Sequence, residues 1–348
     1  MRRNVFWILL GLASAYLLYR MIVPFVNVVV YSVFVYYVGR PFYRRVQRRL
    51  RSPELSAFIT LFILLLPVTL IILYGLGVAS IELLNLMNAM QVPYAETIDR
   101  MIAEYSAVLA QVSPQDLLKM ASEDKGFQDM WNLLTSVLVN VMGIVFKVML
   151  MFTIALYLLM DGRHLRDWAV KNLYPSKCEV TEKFLDEVDT DLYKVFFGSI
   201  MTAVFIAFMG AAVFSALNTI APPALRIPYV VLFGMICGVV SLVPAVGVAL
   251  FWVPAAVAMA VEAHLNGVLL TDGWFIIVFT LATAVLVDWG PNLLFKPKIT
   301  GRRIHSGLMM MAYLLGPVAF GLAGLFIGPI VLVVALNFVK VILPELRK

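Results

Sequence analysis

Charge is what this sequence has least of. Of its 348 residues only 14% are Asp, Glu, Lys or Arg, whereas 62% are hydrophobic, and mean hydropathy is +0.93. Soluble domains run at about 25% charged and about 45–50% apolar residues. Residues 56–81, 195–225, 227–261 and 306–339 contain no Asp, Glu, Lys or Arg. Such runs exclude a water-soluble fold and define an integral membrane protein. A spanning helix needs about 20 apolar residues, so the two longest runs have room for a second crossing or a hairpin. The runs are continuous and do not alternate with period two, which argues against a closed barrel and for helices.

Other absences narrow the function. Cys178 lies in a polar loop and Cys237 in an apolar run, and they are the only cysteines, so neither a disulfide nor a cysteine metal cluster is expected. The three histidines, His164, His264 and His305, lack ligand spacing. No Walker A sequence is present, which argues against ATP-driven transport by this chain. There is no His-Glu-x-x-His, no Gly-x-Ser-x-Gly setting with a buried base, and only one Asp (Asp288) placed to lie inside a span. Intramembrane zinc, serine and aspartyl proteases are therefore set aside, and the chain reads as a non-enzyme without a cofactor. The net charge of +6 is not a nucleic-acid signal, because the cations sit in short loops beside apolar segments.

What is present has an order. Arg2-Arg3 ahead of an apolar run, with Ala13-Ser14-Ala15, resembles a signal peptide, but apolar character continues to Val38, as in a retained first helix. Segments 4–19 and 21–38 are split by Arg20 and Pro24, which suggests a tight hairpin; one long tilted span is the competing reading. Six arginines between residues 40 and 51 orient the chain and suit anionic lipid heads. Residues 80–132 form a long polar region, in which Ile98, Ile102, Tyr105, Leu109 and Val112 make one apolar helix face. In 163–194, Val180, Phe184, Leu185, Val188 and Leu192 mark a second amphipathic helix. Its polar face carries Glu182, Asp186, Glu187, Asp189 and Asp191. With the N-terminus inside, 21 of the 27 Lys and Arg residues fall in inner segments. The expectation is a multi-pass protein of the cell membrane with both termini cytoplasmic.

The fold expected is all-α, with about eight crossings and Gly/Pro-broken segments, one or two of them re-entrant. Four regions follow: 1–79, N-terminal spans and basic loop; 80–132, the polar amphipathic region; 133–194, a middle span and charged helix; 195–348, a transport core.

Two interrupted segments inside that core share a pattern. The first has Pro244, Gly247 and Pro254; the second has Gly316-Pro317, Gly321 and Pro329. Paired Gly/Pro-interrupted segments form the substrate site of many transporters, because freed carbonyls and half-helix ends can hold ions. Gly and Pro are also common in membrane helices for no such reason. Asp288 is an ionisable residue within a span, a functional candidate by default. Gly290-Pro291 is expected to break the helix beyond it, and Asn292 adds an amide. Such a carboxylate can bind Na⁺ or exchange a proton. Alternatively, Asp288 sits at the interface and pairs with Lys296, Lys298 or Arg302. Lys147, about mid-span, either faces a polar pathway or snorkels along its stem.

These residues also carry a family resemblance. Tyr157-x-x-x-Asp161-Gly162, Tyr193 with Gly198, Ile227-Pro228-Tyr229, Pro244-x-x-Gly247 with Pro254-Ala255, and Pro291-Asn292 belong to it. So do Pro297-Lys298-Ile299-Thr300-Gly301, the ending Gly321-x-x-Gly324…Gly328-Pro329, and Pro41 with its arginine cluster. In this order and spacing they resemble the autoinducer-2 exporter family of membrane proteins over nearly the whole chain. The resemblance implies a multi-span permease, an exporter of a small signalling molecule or a sodium or lithium–proton antiporter, assembled as a homo-oligomer such as a pentamer. Many relatives have a Glu-Asn pair before the proline of the basic turn, where this chain has Asp288 earlier and Pro291-Asn292. The function expected is a secondary transporter of a small solute or monovalent cation, coupled to H⁺ or Na⁺ by alternating access. A passive channel-like or structural membrane oligomer is the alternative. The partners expected are the lipid bilayer, further copies of the chain, and a small solute or ion, with no nucleic acid.

Overall fold

A computed structural model describes residues 2–66, 125–173, 178–243, 247–291 and 304–346, with four further positions between 69 and 77. The apolar face expected over Ile98–Val112, the basic turn at 296–303, Pro244 and Asn292 lie outside the described residues. All regular elements among the described residues are helical. Six of them are long and apolar enough to cross a membrane, and two shorter apolar helices accompany them. The all-α membrane architecture read from composition is the one observed, and its apolar helices are consistent with about eight crossings.

The chain forms two compact units. One joins Met1–Leu64 to Met151–Lys348; the other is Leu65–Leu150. In the second unit the described helix begins at Lys125, and Thr135 returns its hydroxyl to the Trp131 carbonyl at 2.8 Å. The first unit carries most of the described helices.

Its first element corrects the expected hairpin. Helix α1 (Arg2–Ile22) passes into α2 (Val26–Leu50) through one tight turn, Val23–Phe25, so that Leu10–Leu50 is a single long apolar stretch. Pro24 is at the start of that turn, where its missing N–H removes no bond the turn needs. Arg20 is exposed on the same rod. Against α2 pack α3 (Pro53–Leu66) and the part of α4 (Lys125–Leu173) that follows Met151. Val35, Tyr43, Ala57, Leu61, Ala155 and Leu159 form their buried core. The Ser32 hydroxyl donates within α2 to the Val28 carbonyl, 2.7 Å away, and lies 3.1 Å from the Met151 carbonyl of α4.

Helix α5 (Cys178–Ile220) is the spine. Its 43 residues make about 65 Å at 1.5 Å per residue, against a hydrocarbon layer of about 30 Å. The acid-rich first part therefore has room to project beyond the hydrocarbon. The turn after α5 is clamped by Asn218, which donates to the Ile227 carbonyl and accepts from the Ile227 N–H, both at 2.8 Å. Helix α6 (Val230–Val240) then folds back along α5. Small residues make this contact close. A methyl added at Gly234 would stand 2.8 Å from both the Ala207 carbonyl oxygen and Ala211 Cα. In membranes such small-residue seams substitute van der Waals contact for the missing hydrophobic drive between helices.

After the turn at Gly247 come α7 (Ala249–Leu265), α8 (Leu269–Ala282) and a widened π-type turn, Thr283–Trp289. Phe214, Phe275, Phe279, Val287, Cys237 and Ile206 form the core between these elements and α5.

The C-terminal segment is an antiparallel hairpin. Helix α9 (Ser306–Phe320) reverses at Gly321–Ala323 into α10 (Gly324–Asn337). The arms touch through backbone: a methyl at Gly316 would strike the Gly324 carbonyl, and one at Gly328 the Ala312 carbonyl. By composition Gly307–Leu346 could pass for one 40-residue span. These contacts, eight and sixteen residues apart in sequence around the same turn, show that it folds back. Its 15-residue first arm is about 22 Å long, shorter than the hydrocarbon thickness of about 30 Å. A second π-type turn, Phe338–Ile342, and a final helical turn, Leu343–Leu346, follow. The expected break at Gly316-Pro317 is not where the chain turns. Pro317 is inside α9, half-buried, and Gly321 makes the reversal with φ +63° and ψ −154°. That conformation is essentially restricted to glycine.

Candidate functional site

Asp288 is the penultimate residue of the bilayer-length stretch Leu269–Trp289 and is 7% exposed. Its local backbone follows from Pro291. A proline cannot donate to the preceding turn, and its ring crowds the carbonyl four residues back. No break falls before Pro291, the last described residue of this segment. The helix instead continues through both residues and widens, with the Gly290 N–H reaching the Val285 carbonyl five residues earlier. Single π-type turns inside α-helices are frequent at functional sites. Pro291 is buried at the end of the widened turn.

Asp288 and its neighbour Val287 face groups from three other helices. Trp252, on α7, donates its indole N–H to Asp288 Oδ2 at 3.3 Å. Cys237, on α6, is fully buried in the same core as Val287, the residue before Asp288. Gly210, on α5, faces Val287: a methyl there would stand 3.5 Å from Val287 Cγ1. On the widened turn itself, the Thr283 hydroxyl is buried and has no hydrogen-bond partner among the described residues. A carboxylate and a hydroxyl on one widened turn, beside a position that cannot donate, are oxygen groups suited to a proton or a small hard cation.

The other expected residues divide. Gly247 is buried in the turn before α7; a methyl there would meet the Val243 carbonyl oxygen at 2.5 Å. Pro254 is exposed and lies within α7, two residues after Trp252, so the first interrupted segment does reach Asp288 through that tryptophan. The second segment packs elsewhere. Tyr313 and Val333 of the hairpin join Tyr37, Leu192, Val195 and Phe196 in a separate core. The two segments nevertheless share a shape: in each, a turn glycine precedes a helix whose sixth residue is proline, Pro254 or Pro329. Gly321 and Lys147 are exposed.

Sequence reasoning missed a second buried carboxylate. Asp191, expected on a solvated acidic face, is 4% exposed and accepts the Asn337 side-chain amide at 3.0 Å; Asn337 is itself 2% exposed. The signals were there. Asp191 stands three residues after Val188 and four before Val195, on the apolar stripe, and Asn337 is the one side-chain amide in the charge-free run 306–339. Nearby on α5, Asp189 takes Arg40 Nη1 at 2.6 and 2.8 Å, tying α5 to α2. Trp252 was hidden for another reason: an aromatic in an apolar run reads as core until the fold sets its N–H against a carboxylate.

Helices with charge-free spans, broken segments and a buried carboxylate within one of them define a multi-span membrane protein with the parts of a transporter. Comparison with known proteins agrees. Residues 5–344 match the model of the AI-2E family transporter. The chain is 24% identical over 299 residues to a "Putative transport protein" of Methanothermobacter thermautotrophicus, covering 83% of this chain and 79% of that one. It is 23% identical over 321 residues to one of Methanocaldococcus jannaschii, covering 90% and 89%. A third, from Aquifex aeolicus, is 22% identical over 318 residues, covering 86% and 85%. The chain belongs to the AI-2E transporter family, and the resemblance drawn from its motifs holds over nearly its whole length.

Proposed function

We propose that this membrane transporter is a secondary exporter of a small solute or monovalent cation, coupled to H⁺ or Na⁺ by alternating access, with Asp288 carrying the coupling ion. The observation that carries this reading is a carboxylate buried in a π-widened span and bonded to Trp252 on a neighbouring helix. An ionisable group is costly at membrane depth, and those that occur there mark ion and proton pathways. The transport core is assigned to residues 195–348, and Asn292 and Pro244 are retained as candidate ion-binding residues from the sequence pattern alone. The distribution of Lys and Arg supports both termini in the cytoplasm of a cell-membrane protein, and the motif resemblance supports assembly as a homo-oligomer.

The test is a reconstituted flux assay comparing Na⁺, Li⁺ and a small polyol under an imposed pH gradient. Wild-type protein is expected to show gradient-driven flux, and Asp288→Asn to abolish it while leaving a folded protein. Unchanged coupling in the variant would end the assignment of Asp288. Passive, voltage-dependent flux without coupling would favour a pore.

A further inference from the structure

Away from Asp288, the arginine-rich end of α2 encloses space. Tyr36, Arg40, Tyr43, Arg44 and Gln47 fall at helical spacing and form one wall of a cavity of about 390 Å³; α4 adds Arg163 and Arg166, and α5 adds Asp189. An adjoining cavity of about 360 Å³ shares Arg40, Arg44 and Asp189 and is extended by Arg45 and Arg48. These volumes lie in the range of small-ligand sites.

The charges in the larger cavity do not balance. Four arginines line it against one carboxylate, Asp189. Two of the four are engaged. Arg40 is held by both Asp189 oxygens, with its guanidinium 5.8 Å from the centre of the Tyr36 ring. Arg166 donates to Asp186 at 2.7 Å and to Glu182 at 3.0 Å. Arg44 and Arg163 have no ion pair among the described residues. A further polar group waits beside them. Tyr43 is only 6% exposed, lines the same cavity, and its hydroxyl is buried with no hydrogen-bond partner among the described residues. An orientation signal needs positive charge anywhere near the membrane surface. It does not need a cavity, a braced arginine and an unmet hydroxyl.

We propose that this cavity binds a terminal phosphate group, with Arg44 and Arg163 as its charged forks and Tyr43 as a hydroxyl donor. A planar guanidinium offers paired N–H groups that match two phosphate oxygens at once. Arg40, fixed by Asp189, supplies the positive wall between the two cavities. The same chemistry fits the headgroup of phosphatidic acid and free inorganic phosphate, and basic pockets between membrane helices are known to take lipid headgroups.

The experiment uses full-length protein in phosphatidylcholine nanodiscs, with and without phosphatidic acid, and in detergent with inorganic phosphate. Phosphorus NMR and the unfolding temperature report binding. Saturable binding of at least one ligand is expected. Arg44→Gln combined with Arg163→Gln should weaken it about tenfold or more, since two charge-assisted contacts are lost. Tyr43→Phe should weaken it less, and Arg49→Gln, which lines neither cavity, should leave it unchanged. The paired Arg→Lys variant keeps the charge but loses the forks, and should bind more weakly than wild type. Phosphatidic acid binding without competition by inorganic phosphate assigns a headgroup; competition assigns a free anion. Absence of saturable binding, binding that survives the paired Arg→Gln variant, or equal loss in Arg49→Gln overturns the proposal. The readout is binding, so its failure leaves the proposed transport function untouched.

Discussion

The side-chain amide of Asn337 donates to Asp191 across 3.0 Å, and the two residues are 2% and 4% exposed. The bond ties the end of α10 to α5. Asn337 also stands 3.1 Å from the Val333 carbonyl of its own helix, so its amide is held from both sides.

Removing one partner is expected to cost more than removing both. Asn337→Leu leaves the buried Asp191 without its amide donor and should destabilise the protein by about 1–3 kcal/mol, as a lower unfolding temperature in detergent. Asp191→Leu added to it should recover most of that loss, because an apolar pair leaves nothing unsatisfied. A double variant less stable than Asn337→Leu alone would assign Asp191 a further essential contact.

The seam between α5 and α6 tolerates no side chain at Gly234. Gly234→Val should separate the helices at a cost of about 1–3 kcal/mol, typical of overpacking, and reduce the yield of folded protein. At Gly143 an added Cβ meets nothing within 4 Å, so Gly143→Val serves as the control. Equal behaviour of the two variants on size-exclusion chromatography would contradict the close packing described.

Gly321 tests conformation without packing. A methyl there would touch nothing within 4 Å, yet the backbone at φ +63° and ψ −154° is closed to other residues. Gly321→Ala should therefore lower stability by about 1–3 kcal/mol although space is free. Thermal unfolding checks this, and an unchanged midpoint would mean that the hairpin turns differently.

Trp252→Phe keeps the ring and removes the indole N–H from Asp288. One hydrogen bond of 3.3 Å is lost, so transport should fall by about tenfold or less, where Asp288→Asn abolishes coupling. The flux assay under a pH gradient distinguishes the two. A Trp252→Phe variant with full activity would make the contact incidental.

The prolines show where reading a chain in order falls short. Each of Pro254, Pro291 and Pro317 reads as a break, because its missing N–H costs a backbone bond. In the fold Pro254 and Pro317 sit within helices, and a helix runs as far as Pro291, the last described residue of its segment. Membrane helices tolerate proline where neighbouring helices and local π-type adjustments restore the freed groups, and those neighbours are not adjacent in sequence. The acids tell the same story. Asp189 and Asp191 stand two residues apart on one helix, yet the first meets Arg40 at a part-exposed edge and the second is buried against Asn337.

Sequence alone determined that this protein is a helical membrane protein of the AI-2E transporter family, and marked Asp288 as the ionisable residue to look at in its transport core. The bilayer enforces this: charge-free runs have no other stable place, and every backbone group inside must be bonded within a helix. Tertiary structure decided which tryptophan meets Asp288, which acid is buried, that the chain's last apolar run reverses at Gly321, and that the arginines of α2 surround a cavity. Those outcomes depend on what packs against each helix face, which no single segment specifies.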